Sequence, residues 1–455
     1  MDSIDNIYSR KIEELNNIAP SFQKIGKGAY HPGLETMLDF MTFLGKPHLC
    51  FRSVHVAGTN GKGSVSHLLA SLLAFSSPGM RVGLYTSPHL ADFRERIKIV
   101  EVGDGNNTFS EISKEEVVEF LDRCDVFIKN HNPSFFEITT AMAFDFFAHS
   151  DIDIAIVETG LGGRIDSTNV ITPELSIITS IGMDHINILG DTLSQIAAEK
   201  GGIIKPGVPV VTGQLPAEAA DVIERIAAEK KSGLYSYSTN YDLARGACRN
   251  EVSKFVDKYF PEVDFDKMDL HSDAQKINVP SVLIAYSILS KKGFVPEKPE
   301  ISALMNAART TGMRGRWERL SSNPLIICDI GHNFEALTIS MAQLEREASG
   351  RNLYMILGMC EDKDIDKVRI LYPLNAHYCY TNAQGPRAMR ASELMNIVDG
   401  SRRDRGANPK FMDSAVKDTV ADAVNYVLGK VGSDDVVYIG GSSFVVAEAI
   451  PVIDK

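Results

Sequence analysis

The sequence predicts a two-domain α/β protein built on parallel sheets, and three observations predict it. A β-branched run, Ser53-Val54-His55-Val56-Ala57, enters a glycine-rich turn that opens at once into an amphipathic helix pattern. Beyond it, continuous apolar segments alternate with helical patterns, which reads as βαβ units. A second series of such segments begins near residue 313, after Thr310-Thr311-Gly312-Met313-Arg314-Gly315.

Taken in order, residues 1 to about 50 read as helices, with Ile4, Ile7, Ile12 and Leu15 in one and Leu34, Met37, Leu38, Met41 and Leu44 in the next. Lys24 to His31 between them reads as a polar, glycine-rich connection. The stretch from Ser53 then continues through Gly58-Thr-Asn-Gly-Lys-Gly-Ser64 into Val65, Leu68, Leu69, Leu72 and Leu73 at helical spacing. Strand, glycine turn and helix N-terminus in that order make an anion site, because backbone N–H groups and the positive helix end face outward together. Lys62 adds a mobile charge, and Ser64 stands where a P-loop places its metal-ligating hydroxyl. The glycine spacing is shorter than in the usual P-loop, and Gly63 separates lysine from serine.

Later strands repeat one theme. Arg81 to Tyr85 ends in Thr86-Ser87-Pro88-His89, and Asp151 to Val157 ends at Glu158 before Gly160-Leu-Gly-Gly-Arg164. Ser176 to Ile181 ends at Gly182-Met-Asp-His185, and Val208 to Thr212 precedes a helix over Ala217 to Lys231. Helical patterns cover Lys114 to Lys129, Phe136 to Ala148 and Asn278 to Lys291, whereas residues 233–270 read as irregular. Past the boundary, Leu325 to Cys328, Leu353 to Leu357, His377 to Tyr380 and Val436 to Ile439 each lead into a polar or glycine-rich turn. The expected domains are 1–312, a P-loop parallel-sheet domain, and 313–455, a smaller Rossmann-like α/β domain.

Bulk properties agree. A chain of 455 residues is long enough for two or three domains. A net charge of −12 argues against a general nucleic-acid binder. Six scattered cysteines without a C-x-x-C pair suggest neither zinc site nor disulfide framework, and point to a reducing, cytoplasmic setting. The acidic N-terminus lacks a signal-peptide core, and no apolar run approaches the roughly 20 residues a membrane helix needs. No nucleic acid and no membrane are expected as partners.

In open parallel sheets ligands sit beyond the carboxyl ends of the strands. Lys62 with Ser64, Ser87, Glu158 and His185 fall at four such ends. A hydroxyl, a carboxylate and an imidazole beside a nucleotide phosphate suit a divalent cation; magnesium favours oxygen, while the imidazole also suits manganese. Each has a plainer alternative: Ser87 could shape a turn with Pro88, Glu158 could pair with Arg164, and His185 could cap the following helix.

These segments, with Phe93-Arg-Glu-Arg-Ile97, Ile165-Asp-Ser-Thr-Asn169, Ile196-Ala-Ala-Glu-Lys-Gly-Gly-Ile203 and Asp329-Ile-Gly-His-Asn333, resemble the folylpolyglutamate synthase and dihydrofolate synthase family of the Mur ligase superfamily. The likeness runs from about residue 20 to the C-terminus. It implies an ATP-dependent ligase that joins L-glutamate to dihydropteroate or to the γ-carboxylate of a folate, expected to be bifunctional and monomeric. Carried over, Gly61, Lys62, Gly63 and Ser64 would hold ATP phosphates, and Ser87, Glu158 and His185 would bind Mg2+. Lys200 would be the lysine that this family carbamylates to help hold a second Mg2+. Asn278, Arg316 and Asp329 would contact ATP, and Lys62, Lys200 and His332 would carry the chemistry. Ser134, Phe135, Phe136 and Glu137, with Ile165, Asp166 and Ser167, match the pterin-substrate segments. Four departures are modest: Thr159 for the usual valine, Gly201 for alanine, Phe334 for proline, and Ala274 where many members have histidine. The last leaves open how the approach to Asn278 is held.

The implied reaction fits the residues. A carboxylate first attacks the γ-phosphate to give an acyl phosphate, and positive groups must neutralise the meeting of two anions. The glutamate amine then displaces phosphate, so no enzyme nucleophile is required. A peptidoglycan Mur ligase is the nearest alternative. It would carry a sugar-binding domain ahead of the P-loop, where here 57 helical-looking residues precede Gly58. A transport ATPase or nucleotide switch would need neither Glu158 and His185 nor a second α/β domain.

Overall fold

The computed structural model describes residues 3–19, 33–103, 108–237, 249–361 and 363–454. The expected loop from Lys24 to His31 lies outside these residues. The described chain divides into two compact units, residues 1–269 with 275–312 and residues 270–274 with 313–455.

The first unit carries an eight-stranded sheet among the described residues. In chain order its strands are β1 (Ser53–Ala57), β2 (Val82–Tyr85), β3 (Ile97–Val100), β4 (Phe109–Glu111), β5 (Ile154–Glu158), β6 (Leu175–Ile178), β7 (Val210–Thr212) and β8 (Leu234–Ser236). They lie in the order β4-β3-β2-β5-β1-β6-β7-β8. From β2 to β8 every pair is parallel, and every residue of β1, β2, β5 and β6 is buried, as expected of apolar strands covered on both faces.

One apolar cluster joins Phe40, Phe120, Phe127, Phe144 and Phe147 to Val157 of β5. A second gathers Ile196, Ile203, Val210, Val222 and Ile223 around Ile178 of β6. The helix Lys62–Ser76 is buried along almost its whole length, with Gln275–Lys291 packed beside it. Its weak two-sidedness follows from being covered all round.

Three of the strands that were not expected are antiparallel. β3 and β4 add an antiparallel edge. In the second unit, β9 (Glu318–Ser322) does the same. These strands are short or partly exposed and carry charges, so they lack the apolar run that marks the central ones. Residues 233–270, expected to be irregular, contain β8 and the helix Arg249–Tyr259. The strand of Asp151–Val157 starts only at Ile154.

The second unit's remaining strands are β10 (Leu325–Asp329), β11 (Leu353–Leu357), β12 (His377–Thr381), β13 (Ala415–Lys417) and β14 (Val436–Gly440). Their order is β13-β12-β11-β14-β10-β9, parallel except for the β9 edge. Residues 270–274 belong to this unit rather than to the contiguous 1–312 domain expected. Gln343 on the helix Phe334–Glu347 donates to His271 O at 2.8 Å and accepts from Asp273 N at 2.8 Å, and Arg346 pairs with Asp273. No described helix is long and apolar enough to cross a membrane.

Candidate active site

Strands β2, β5, β1 and β6 are consecutive and parallel in the middle of the first sheet, so their carboxyl ends form one continuous edge. Ser87, Glu158, the loop Gly58–Ser64 and His185 leave from those four ends in that order. The juxtaposition expected from sequence is therefore present.

The glycine loop is held from the β6 side. Thr59 N donates to Ser180 O at 2.9 Å, Asn60 N to Ser180 Oγ at 2.8 Å, and Thr179 Oγ1 to Asn60 O at 2.6 Å. Gly61 adopts the left-handed region at φ 86°, and a Cβ there would lie 2.6 Å from Asn278 Oδ1. Asn278 is thus packed against the loop, and its Nδ2 donates to Gln275 Oε1 at 3.0 Å. Gln275 supplies the support for Asn278 that the Ala274 departure left open. No side chain caps the helix Lys62–Ser76, and its first turn contains no acidic residue. Its N-terminal N–H groups and dipole are suited to an anion.

Two lysines meet beneath this loop. Lys62 Nζ donates to Gly58 O at 3.1 Å, and Lys200 Nζ donates to the same oxygen at 2.9 Å. Lys200 comes from the end of the helix Leu193–Gly201 and is buried. Burial, reinforced by the Lys62 charge, pushes its ammonium down to about 7, with Asp184 and Asp166 opposing. Lys62 Nζ also stands 4.0 Å from Glu158 Oε1, and Glu158 Oε2 accepts from Ser87 N at 3.2 Å. Lys62, Lys200, Glu158 and Ser87 therefore form one connected group.

The plainer readings of the metal candidates fare unevenly. Arg164 pairs with Glu199 (Nη2 to Oε1, 2.8 Å) rather than with Glu158. His185 does start the short helix Ile186–Leu189, at φ 50°, but its side chain makes no capping bond. Its Nε2 lies 3.9 Å from Asp184 Oδ1. Ser87 lies at a bend, and its bond to Pro88 is cis. Among the described residues no three His, Cys, Asp or Glu side chains are grouped so that they could hold a metal ion.

The expected substrate segments look different. Ser134 and Glu137 form a reciprocal capping box: Ser134 N and Oγ each donate to Glu137 Oε2 at 2.7 Å, and Glu137 N donates to Ser134 Oγ at 3.2 Å. Phe135 is buried edge-on to Phe93, with the Arg96 guanidinium 5.3 Å from its ring. Asp166 is buried, accepting from Leu161 N at 2.8 Å and Thr168 N at 3.0 Å. Phe136 is half-buried, 5.9 Å from the Tyr85 ring, and Ile165 and Ser167 are partly exposed. The side chains of Ser134, Glu137 and Asp166 are thus bonded within the protein, while Phe136, Ile165 and Ser167 keep exposed surface.

In the second unit, Asp329 ends β10 and accepts from Trp317 N at 3.3 Å and Ser340 Oγ at 2.8 Å. Burial raises its carboxyl, and the Ser340 bond and neighbouring Arg316 charge oppose that. His332 Nδ1 lies 3.0 Å from Ile330 O, so that nitrogen carries the proton. Sequence reasoning missed Thr179, Ser180 and Gln275, which hold the phosphate loop and carry no chemistry of their own. Thr179 and Ser180 stood inside a recognised motif, and that was their only signal.

Residues 56–280 match the Mur ligase middle domain, and residues 315–443 match the Mur ligase, glutamate ligase domain. A dihydrofolate synthase/folylpolyglutamate synthase from Bacillus subtilis is 32% identical, spanning 92% of this chain and 94% of that protein. A folylpolyglutamate synthase from Lacticaseibacillus casei is 30% identical over 84% of this chain and 88% of its own length. Among solved structures, a folylpolyglutamate synthase from Thermotoga maritima is 27% identical with a TM-score of 0.73, covering 98% of this chain and 97% of that one. One from Mycobacterium tuberculosis complexed with ADP shares the fold at a TM-score of 0.79 and 24% identity, covering 100% and 99%.

Proposed function

The chain belongs to the dihydrofolate synthase/folylpolyglutamate synthase family, and from that premise we propose which of its residues perform the ligation. The enzyme is an ATP-dependent ligase that joins glutamate to a folate. The observation that carries the assignment of roles is the connected group of Lys62, Lys200, Glu158 and Ser87 at the edge where the glycine loop opens.

Gly61, Lys62, Gly63 and Ser64 hold the ATP phosphates through backbone N–H groups, a hydroxyl and one ammonium, with Asn278 supporting the loop. Ser87, Glu158 and His185 fit a divalent cation, because two oxygen donors and an imidazole are the ligand types Mg2+ or Mn2+ accepts beside phosphate. When bound, the cation supplies charge neutralisation and phosphate orientation. Lys62 neutralises the approach of the substrate carboxylate to the γ-phosphate, and the loop amides hold the transferred group in line. The glutamate amine then attacks the acyl phosphate and phosphate departs. The depressed Lys200 ammonium supports its carbamylation, since only a neutral amine adds CO2. Arg316 and Asp329 are proposed to contact ATP, and His332 to take part in the chemistry. Phe136, Ile165 and Ser167 offer their side chains to the pterin.

We infer that both dihydropteroate and tetrahydrofolate are acceptors, and that the protein acts as a cytoplasmic monomer. Offering each acceptor separately with ATP and labelled glutamate tests the reading: acceptor-dependent ADP release with label incorporation is expected. ADP release indifferent to both acceptors would overturn it.

A further inference from the structure

One side chain of β1 has no part in the phosphate or metal chemistry. His55 is wholly buried between β5 and β6, in register with Val157 and Ser176. Its Nε2 lies 2.8 Å from Thr168 Oγ1, and Thr168 Oγ1 donates to Asp166 Oδ1. Asp166 also gathers Thr168 N on Oδ1 and Leu161 N on Oδ2, at 3.0 and 2.8 Å. Its carboxylate therefore staples the two ends of the loop 161–168 together.

The protons in this chain can be assigned. Asp166 Oδ1 already accepts from Thr168 N, and Thr168 Oγ1 donates to the same oxygen, so the hydroxyl proton points at Asp166. His55 must then donate, which fixes the neutral imidazole with its proton on Nε2. Nδ1 is left as a buried acceptor with no hydrogen-bond partner. Burial keeps the ring neutral. A buried acceptor without a partner is destabilising, and an aliphatic side chain on this apolar strand would avoid it. The imidazole is thus poorly explained by stability. What it does supply is one donor that fixes the Thr168 hydroxyl rotor, so that its proton is directed at Asp166 and nowhere else.

We propose that His55 is a positioning residue for the folate-binding loop: acting through Thr168, it orients Asp166 and so sets the course of residues 158–168. That stretch carries Glu158 at one end and Ile165 to Ser167 near the other. The proposal rests on the assignment of those residues to the pterin.

Two measurements on the full chain test it. In steady-state kinetics, His55→Leu and the near-isosteric Thr168→Val are each expected to raise the folate KM about tenfold, while the ATP KM stays within about twofold. The double variant should be no worse than the poorer single one, because both break one relay. Thr168→Ser keeps the hydroxyl and should retain the unmodified KM. An unchanged folate KM in Thr168→Val, a parallel rise for ATP, or a Thr168→Ser variant as impaired as the valine would overturn the proposal. Amide hydrogen exchange needs no turnover: in Thr168→Val the Leu161 and Thr168 amides should exchange faster, with residues 59–63 unaffected. Faster exchange there in a chain inactive on folates would refute the activity and keep the relay, whereas unchanged exchange refutes the relay.

Discussion

Lys62 and Lys200 donate to the same carbonyl oxygen, that of Gly58, at 3.1 and 2.9 Å. Two ammonium groups held on one oxygen repel each other, and Lys200, the more buried, yields. Its pKa falls from 10.5 to about 7 through burial first and the Lys62 charge second. In the unfolded chain Lys200 keeps its ordinary value, so between those limits the unfolded state binds more protons and stability rises with pH. This contribution is complete above the unfolded value and lost as pH falls through the folded one. Denaturant midpoints in bicarbonate-free buffer should therefore rise between pH about 7 and about 9.5 relative to Lys200→Met. Parallel pH profiles for the two proteins would contradict the depressed lysine.

Lys62 also faces Glu158 at 4.0 Å, so its charge serves loop and carboxylate at once. Lys62→Ala should lower kcat by about a hundredfold or more, the scale seen when a charge-stabilising group is removed. The backbone course of the loop is set by Ser180 and Thr179, so folding should survive, and a thermal melt alongside the kinetics checks this. Near-normal turnover would remove Lys62 from the phosphate site.

Gly61→Ala tests the loop geometry itself. At φ 86° an L-residue is strained by roughly 1–2 kcal/mol, and the new methyl would meet Asn278 Oδ1 at 2.6 Å. The loop and Asn278 must both shift, so weaker nucleotide affinity by calorimetry is expected together with lost stability. Unchanged ATP affinity would show that the loop does not hold the nucleotide in this conformation.

Ser134→Ala separates a cap from a ligand contact. The reciprocal bonds with Glu137 secure the start of the helix Phe135–Ala148, and losing such a cap costs about 1 kcal/mol. Denaturation should show that loss while the folate KM moves by less than about twofold. A large KM change with unchanged stability would instead mark Ser134 as a direct substrate contact.

The readability of the sequence was uneven for physical reasons. β1, β2, β5, β6, β10, β11 and β14 are short apolar runs because both faces of each are buried, and such runs stand out in a single sequence. Lys62, Ser87 and Glu158 were legible because each closes or follows one of those runs. β4, β8 and β13 are three-residue edge pieces, partly exposed, and the partners of β8 and β13 are well separated from them in sequence. The assignment of 270–274 to the second unit was hidden likewise, since it rests on Gln343 and Arg346, some seventy residues on. Ser134, Glu137 and Asp166 matched substrate segments in type, but only coordinates show their oxygens bonded to the chain's own donors.

His185 offers the sharpest test of the cation assignment. The residue sits at the start of a four-residue helix, where its backbone carbonyl accepts from Ile188 and Leu189 while its side chain takes no part in capping. The residue follows β6, whose carboxyl end adjoins those of β1, β5 and β2 that lead to the glycine loop, Glu158 and Ser87. His185→Ala should leave the helix start intact and raise the magnesium concentration for half-maximal activity by about tenfold or more. Replacing magnesium with manganese should lower that requirement in the native chain, because imidazole suits manganese better, and the advantage should shrink in the variant. The two titrations, run at saturating ATP and folate, therefore discriminate between ligand and bystander: identical curves for native and variant chains with both metals would exclude His185 from the cation's shell.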